Sequence, residues 1–322
     1  MWKTGKESAM NYSVIDLHCD TLTAFQAPTR CRDTLNDPDS VFALCKIPEN
    51  TPWCQCCAVF VPDGLTSEEA LGYYRFHRRS FQRQGEQFAA LAQVCTTAGQ
   101  MEDAWAQKKT ALILTVENGS LLGTGLDKVE ELHRDGVRLL TLTWNGENAL
   151  GSGNETDHGL SPLGKAAVPA LEEAGILLDV SHLNDAGFRD VLELAQKPFV
   201  ASHSNARAVC PHLRNLEDWQ IREMVRRRCL IGLNFSNGFL RNDGEPADFS
   251  HILRHTEHFL TLGAGDCLAL GSDFDGTSLP PCLDSCEKML NLGAALAGAF
   301  GRETAENILW RNAQAFFRAN LP

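Results

Sequence analysis

Eight short apolar runs recur along the chain, at residues 14–20, 55–61, 111–117, 137–144, 176–182, 198–204, 229–235 and 267–273. Most are continuous rather than alternating, as a parallel sheet covered on both faces requires. Between them lie stretches of helical period, at 67–97, 126–135, 162–174, 185–195, 216–228 and 249–262. Strand–helix alternation predicts an α/β protein, and eight repeats predict a closed (β/α)8 TIM barrel. The punctuation agrees. Ser67 stands before Glu68 and Glu69 at a helix start, and Ser161 caps a helix whose first residue is Pro162. In EEAGILL, HRDGVRLL and LTLGAGDCL a glycine separates helix from strand. Residues 302–318 read as a last helix closing the barrel.

No linker, low-complexity run or internal repeat divides the chain. The expectation is one barrel domain over 1–322, with a polar N-terminal extension at 1–13 and the closing helix within 302–322. A hydrophobic content of 43% supplies a core of that size. The net charge of −12 argues against nucleic acid as a partner. Its densest basic cluster, Arg226 to Arg228, reads as a solvated helix end. The N-terminus has no apolar export core, and no run of ~18 apolar residues could span a bilayer, so a cytoplasmic protein with no membrane partner is expected. There are twelve cysteines. Cys54 and Cys57 have CxxC spacing with Cys56 between them, but they sit in a strand-like run without a second pair. Reduced, buried thiols are expected rather than a structural zinc knuckle.

The chemistry collects where strands end. His18, Cys19 and Asp20 close the first run, Glu117 the third, His182 the fifth, Asp273 the eighth, and His203 stands near the end of the sixth. In this fold the active site is assembled at that C-terminal mouth. His18 and Asp20, two residues apart, leave the same strand face and can reach one ion. Imidazole and carboxylate are ligands for zinc and related divalent ions. Each residue also has a bland reading. His182 and His203 would each serve as a helix cap or polar rim, and Asp275 as a cap on a loop or helix. A buried Glu117 or Asp273 is costly unless paired or metal-bound. The remaining histidines read mostly as surface residues, with His158 and His212 in loops above the mouth. Five ligands suggest two cations ~3.5–4 Å apart. His18, Asp20 and Glu117 would hold one, and Glu117, His182 and His203 the other, with Glu117 as the bridge.

The motifs DLHCDT (16–21), TVENGS (115–120), GVRLLTLTWN (136–145), GLSPLGKAAV (159–168), ILLDVSH (176–182), ASHSNARAVCPHLRN (201–215) and GSDFDG (271–276) stand in this order. With them the chain resembles the renal (membrane) dipeptidase family of zinc peptidases, in the amidohydrolase superfamily, over residues 14–318. The resemblance implies a zinc-dependent dipeptidase with two Zn2+ per chain, bridged by Glu117 and a hydroxide. It implies Asp273 as catalytic acid/base in contact with substrate, and Arg214 as the group binding the substrate's terminal carboxylate, with Arg207 structural. Trp144 stands where animal members have a histidine contacting the substrate carbonyl. An indole has one N–H and no basic nitrogen, so it cannot do imidazole proton chemistry. The family leaves C-terminal D-residues and a homodimer open, and the missing anchor signals suggest a bacterial-type soluble form. The glycine-bearing loop 145–161 reads first as plain turns, with shaping or closing the mouth as the alternative. The rivals are a sister deaminase, lactonase or β-lactam-type hydrolase, and a silent barrel acting as a binding protein. Sister enzymes often bridge their metals with a lysine on strand four, where this chain has Arg138 and Trp144.

Overall fold

The computed structural model describes residues 12–24 and 33–322. Among the described residues nine strands form, all paired in parallel: β1 (Val14–Cys19), β2 (Trp53–Phe60), β3 (Ala92–Val94), β4 (Thr110–Glu117), β5 (Val137–Thr141), β6 (Leu177–Asp179), β7 (Val200–Ala201), β8 (Leu230–Leu233) and β9 (Leu268–Leu270). The order β1-β2-β4-β5-β6-β7-β8-β9 returns to β1 and closes an eight-stranded barrel. Each of the eight apolar runs contributes one strand of that ring.

β3 is the element the periodicity did not foresee. The stretch expected to be helical over 67–97 is helix only over Ser67–Gln87, and β3 follows. β5 pairs with β4 from Leu114 onward, and β3 takes the earlier positions Thr110 to Leu112. Those backbone groups would otherwise lack partners, which is why a short strand forms there. The cap of this helix is also one residue earlier than expected. Thr66 accepts from the Glu69 amide, and the Glu69 carboxylate accepts in return from the Thr66 amide. Ser161 caps Pro162–Ala174 as the sequence suggested, and Gly136, Gly175 and Gly263 take the left-handed backbone that turns helix into strand.

Apolar side chains fill two layers. One lies between barrel and helices. The other lies inside the barrel, where Ile15, Leu17, Cys54, Cys56, Ile113 and Leu139 pack against Ala313, Phe316 and Phe317. The last three come from the helical stretch 302–320, which seals the barrel floor. The eleven described cysteines are free. Burial pushes the Cys54, Cys56 and Cys57 thiols well above their usual range, so they serve as small hydrophobes. Among the described residues no helix is long and apolar enough to cross a membrane.

Candidate metal centre and substrate cavity

Local backbone irregularities aim the polar side chains into the mouth. In β1, three steps from Asp16 to Cys19 oppose two steps of β2, from Gln55 to Cys57. Ile15 and Leu17 face the barrel interior, so plain alternation would send His18 outward. The extra residue turns it back inside. Asp16 remains between strands, accepting from the Ser272 amide (2.8 Å), the Ser272 hydroxyl (2.6 Å) and the Gln55 amide nitrogen (2.9 Å). Glu117 is the last residue of β4. His182, His203 and Asp273 lie two or three residues beyond the paired parts of β6, β7 and β9. His182 and Asp273 adopt φ of 71° and 62°, a left-handed turn that ends each ladder and points the side chain inward.

All five expected ligands and Asp273 converge. Glu117 is the hub. Its Oε1 is 2.7 Å from His182 Nε2 and 3.5 Å from His203 Nε2, and its Oε2 is 3.6 Å from His18 Nε2. His18 Nε2 is also 3.4 Å from Asp20 Oδ2. The His18 and His203 rings stack with centroids 3.8 Å apart. Two groupings of ligand atoms therefore share Glu117: His18 with Asp20, and His182 with His203. A third places Asp273 with His18 and His203.

Outer contacts set the imidazole tautomers. Asn145 Oδ1 lies 2.9 Å from His182 Nδ1, and the same oxygen accepts from Asn154. That nitrogen of His182 must therefore donate. Ser202 Oγ donates to Asp179 at 2.5 Å and lies 2.6 Å from His203 Nδ1, so this ring also donates there. Both Nε2 lone pairs are left facing Glu117. Burial, with Arg214 nearby, lowers His182 to about 4, and burial also holds His203 well below its usual value. Both rings are neutral at neutral pH, the form that binds a cation.

On the other side, burial pushes Asp20 well above the usual carboxylate range, reinforced by Glu117. Burial works against the Glu117 charge too, but the neighbouring His18 holds it well below that range. His18 resists its own burial and is raised by Asp20 and Glu117. Among the described residues, both His18 ring nitrogens and Asp20 Oδ1 are buried without a hydrogen-bond partner. Three buried carboxylates around orphaned imidazole nitrogens fit a bound cation on an oxygen and nitrogen ligand set. Gly276 presses on this group. A Cβ there would lie 2.0 Å from Asp20 Oδ2 and 2.6 Å from Asp273 Oδ1, so any larger residue would push these two carboxylates out of place.

The cluster opens into a cavity of about 450 Å³ lined by Phe60, Trp144, Asn145, Phe239, Gly276 and Thr277 together with the site carboxylates. Arg214 is 4% exposed and sits 5.7 Å from the Phe239 ring, with Nη1 on Ser204. Its Nε and Nη2 have no partner among the described residues. Unpaired buried guanidinium donors are costly and suit an incoming anion. Arg207 differs in every respect. It is bound to Asp185, Glu217 and the Leu213 and Asn215 carbonyls, and it braces the loop that carries Arg214. Asp275 accepts from Thr21, Val41 and Phe42, anchoring a loop as its sequence position suggested.

Other expectations need correction. Of the histidines read mostly as surface residues, His255 is fully buried, accepting from the Ala206 amide and facing the Leu240 carbonyl. Loop 145–161 contributes Asn145 to the cavity lining and is tied to its surroundings. Asp63 holds the Gly146 amide, Asn148 bonds Asn118, and Gly153 bridges Leu183. Sequence reasoning missed Asn145, Ser202, Asn234, Phe60 and Phe239. Only the clustering of polar residues just after the ligand strands hinted at the first three.

A family model described as Membrane dipeptidase (Peptidase family M19) matches residues 6–320. An uncharacterized Klebsiella pneumoniae protein from the pqqA 5′ region is 33% identical over 237 residues, covering 70% of this chain and 87% of its own length. A solved metallo peptidase, dipeptidase AC, superposes with TM-score 0.90 at 27% identity, over 97% of this chain and 99% of its own. A Rhodobacter sphaeroides metallo peptidase, liganded with a phosphinate mimic of L-Ala-D-Ala, gives 0.89 at 26% identity, over 96% and 99%.

Proposed function

The chain belongs to the membrane dipeptidase family of metallo-dipeptidases, and from that premise we propose that it hydrolyses free dipeptides using two zinc ions at the barrel mouth. His18, Asp20 and Glu117 would hold one ion; Glu117, His182 and His203 would hold the other. The observation that carries this reading is the pair of buried ligand groups sharing Glu117. When bound, such a metal pair would lower the pKa of a bound water and polarise the substrate carbonyl.

The chain's own residues do the rest. Asp273 is held at Oδ2 by Asn234, at 3.0 Å, which leaves its other oxygen to face the mouth. Burial raises its pKa, so it can take a proton from the attacking water and hand it to the departing amine. Arg214 receives the substrate carboxylate on its two unpaired donors, which selects short substrates. Trp144 supplies no base, so proton transfer rests on Asp273. The phosphinate-bound relative supports acceptance of a C-terminal D-residue beside L-L dipeptides. Free buried thiols fit a cytoplasmic setting, and the barrel with its closing helix fits a single domain.

The test is amine release from L-L and L-D dipeptides, with zinc added and with chelator. Chelator-sensitive cleavage is expected, with C-amidated dipeptides resistant because Arg214 loses its partner. A zinc-loaded protein that cleaves none of them would overturn the proposal.

A further inference from the structure

Phe60 and Trp144 take no part in the chemistry above, yet both line the cavity. Phe60 is the last residue of β2, and Trp144 stands three residues beyond β5. Their rings meet at 4.9 Å between centroids, inclined at 65°. Trp144 lies 6.3 Å from the His182 ring. Both residues are partly exposed among the described residues.

Barrel closure fixes where this pair sits. β4 lies between β2 and β5 in the ring, so the two rings meet over β4, beside Glu117. Arg214 and Phe239 belong to the connections after β7 and β8, on the opposite arc. Asp20, Asp273, Gly276 and Thr277 occupy the arc over β9 and β1. A dipeptide whose carboxylate rests on Arg214 therefore runs across the carboxylate cluster towards the aromatic pair. Its N-terminal side chain arrives at Phe60 and Trp144.

We infer that Phe60 and Trp144 form the pocket for the N-terminal side chain and select dipeptides whose first residue is large and apolar or aromatic. The inference rests on the dipeptidase reading. Two ring surfaces offer apolar area and favourable edge contacts to such a side chain. A charged N-terminal side chain would lose water there without gaining a partner. Glycine would leave both rings uncovered.

The experiment compares kcat/KM for Gly-Ala, Leu-Ala, Phe-Ala and Asp-Ala in the metal-loaded enzyme, with metal content measured for every variant. Phe-Ala and Leu-Ala are expected to exceed Gly-Ala by about ten- to a hundredfold, the range an apolar pocket delivers. Trp144→Ala should shrink that ratio by about tenfold, mainly through KM, and Trp144→Phe should restore most of it. Phe60→Leu, one ring further from His182, decides the case if Trp144→Ala sheds metal. Equal rates on all four dipeptides, or an unchanged ratio in both Trp144→Ala and Phe60→Leu, overturns the pocket and leaves the dipeptidase reading standing. Absence of cleavage of every dipeptide overturns both.

Discussion

At the floor of the barrel, Ile15, Leu17, Cys54 and Ile113 meet Phe316 and Phe317 of the closing helix. At the mouth, a few residues further along the same strands, His18, Glu117, His182, His203 and Asp273 are almost as deeply buried. Burial acts in opposite directions at the two ends. Each large apolar side chain taken from water stabilises the fold by roughly 1.5–3 kcal/mol. A buried ionisable group costs stability unless it is paired, and each left-handed residue such as His182 or Asp273 adds about 1–3 kcal/mol of strain. The floor and the helix–barrel layer offset what the mouth costs. Substitutions at the mouth should therefore change activity with little loss of stability, and substitutions at the floor should do the reverse.

The sharpest contrast is Asp273→Asn. This change should lower kcat by about 10²–10⁴-fold while metal content and Tm stay near those of the parent. Full activity in that variant would remove Asp273 from the mechanism. At the opposite end, Phe317→Ala should cost about 3–5 kcal/mol in denaturant unfolding, with kcat/KM of the folded fraction unchanged. A large activity defect in folded Phe317→Ala would show that the two ends are coupled.

Smaller effects test the groups between these extremes. Asn145→Ala removes the acceptor that fixes His182, and metal affinity measured by competition with a chelator should fall about 10–100-fold. An unchanged affinity would mean the ring is positioned by packing alone. His255 braces the loops that carry Arg214 and Phe239, and burial lowers it from an ordinary value of 6.5 to about 4. The unfolded chain binds this proton more readily, so the stabilisation is complete above pH 6.5 and declines as pH falls towards 4. The slope is at most about 1.4 kcal/mol per pH unit. Unfolding measured between pH 7 and 4.5 should show this component, and His255→Gln should lack it. Identical pH profiles for the two proteins would exclude His255 as the source.

The local record of the fold was strong where burial is two-sided. β4 reads as a continuous apolar run because both its faces are covered, and Glu117 stands out at its end for that reason. The same logic exposed His18, His182 and His203. It failed at β3, whose three residues form a strand only because β5 leaves the start of β4 unpaired. It failed also at His255, whose helical neighbourhood looks amphipathic and whose burial depends on Ala206, 49 residues away, and on Leu240.

The amino-acid order by itself determined the barrel, the number of its strands and the set of residues delivered to one rim. Apolar periodicity and strand-end chemistry are properties of neighbours in sequence, and they survive without knowledge of contacts. Tertiary structure alone decided that a bulge in β1 returns His18 to the interior, that Asn145 and Ser202 set the imidazole tautomers, and that Phe60 meets Trp144 across Glu117. Those outcomes depend on register and closure, which bring together residues tens of positions apart, and no local pattern encodes which pair will touch.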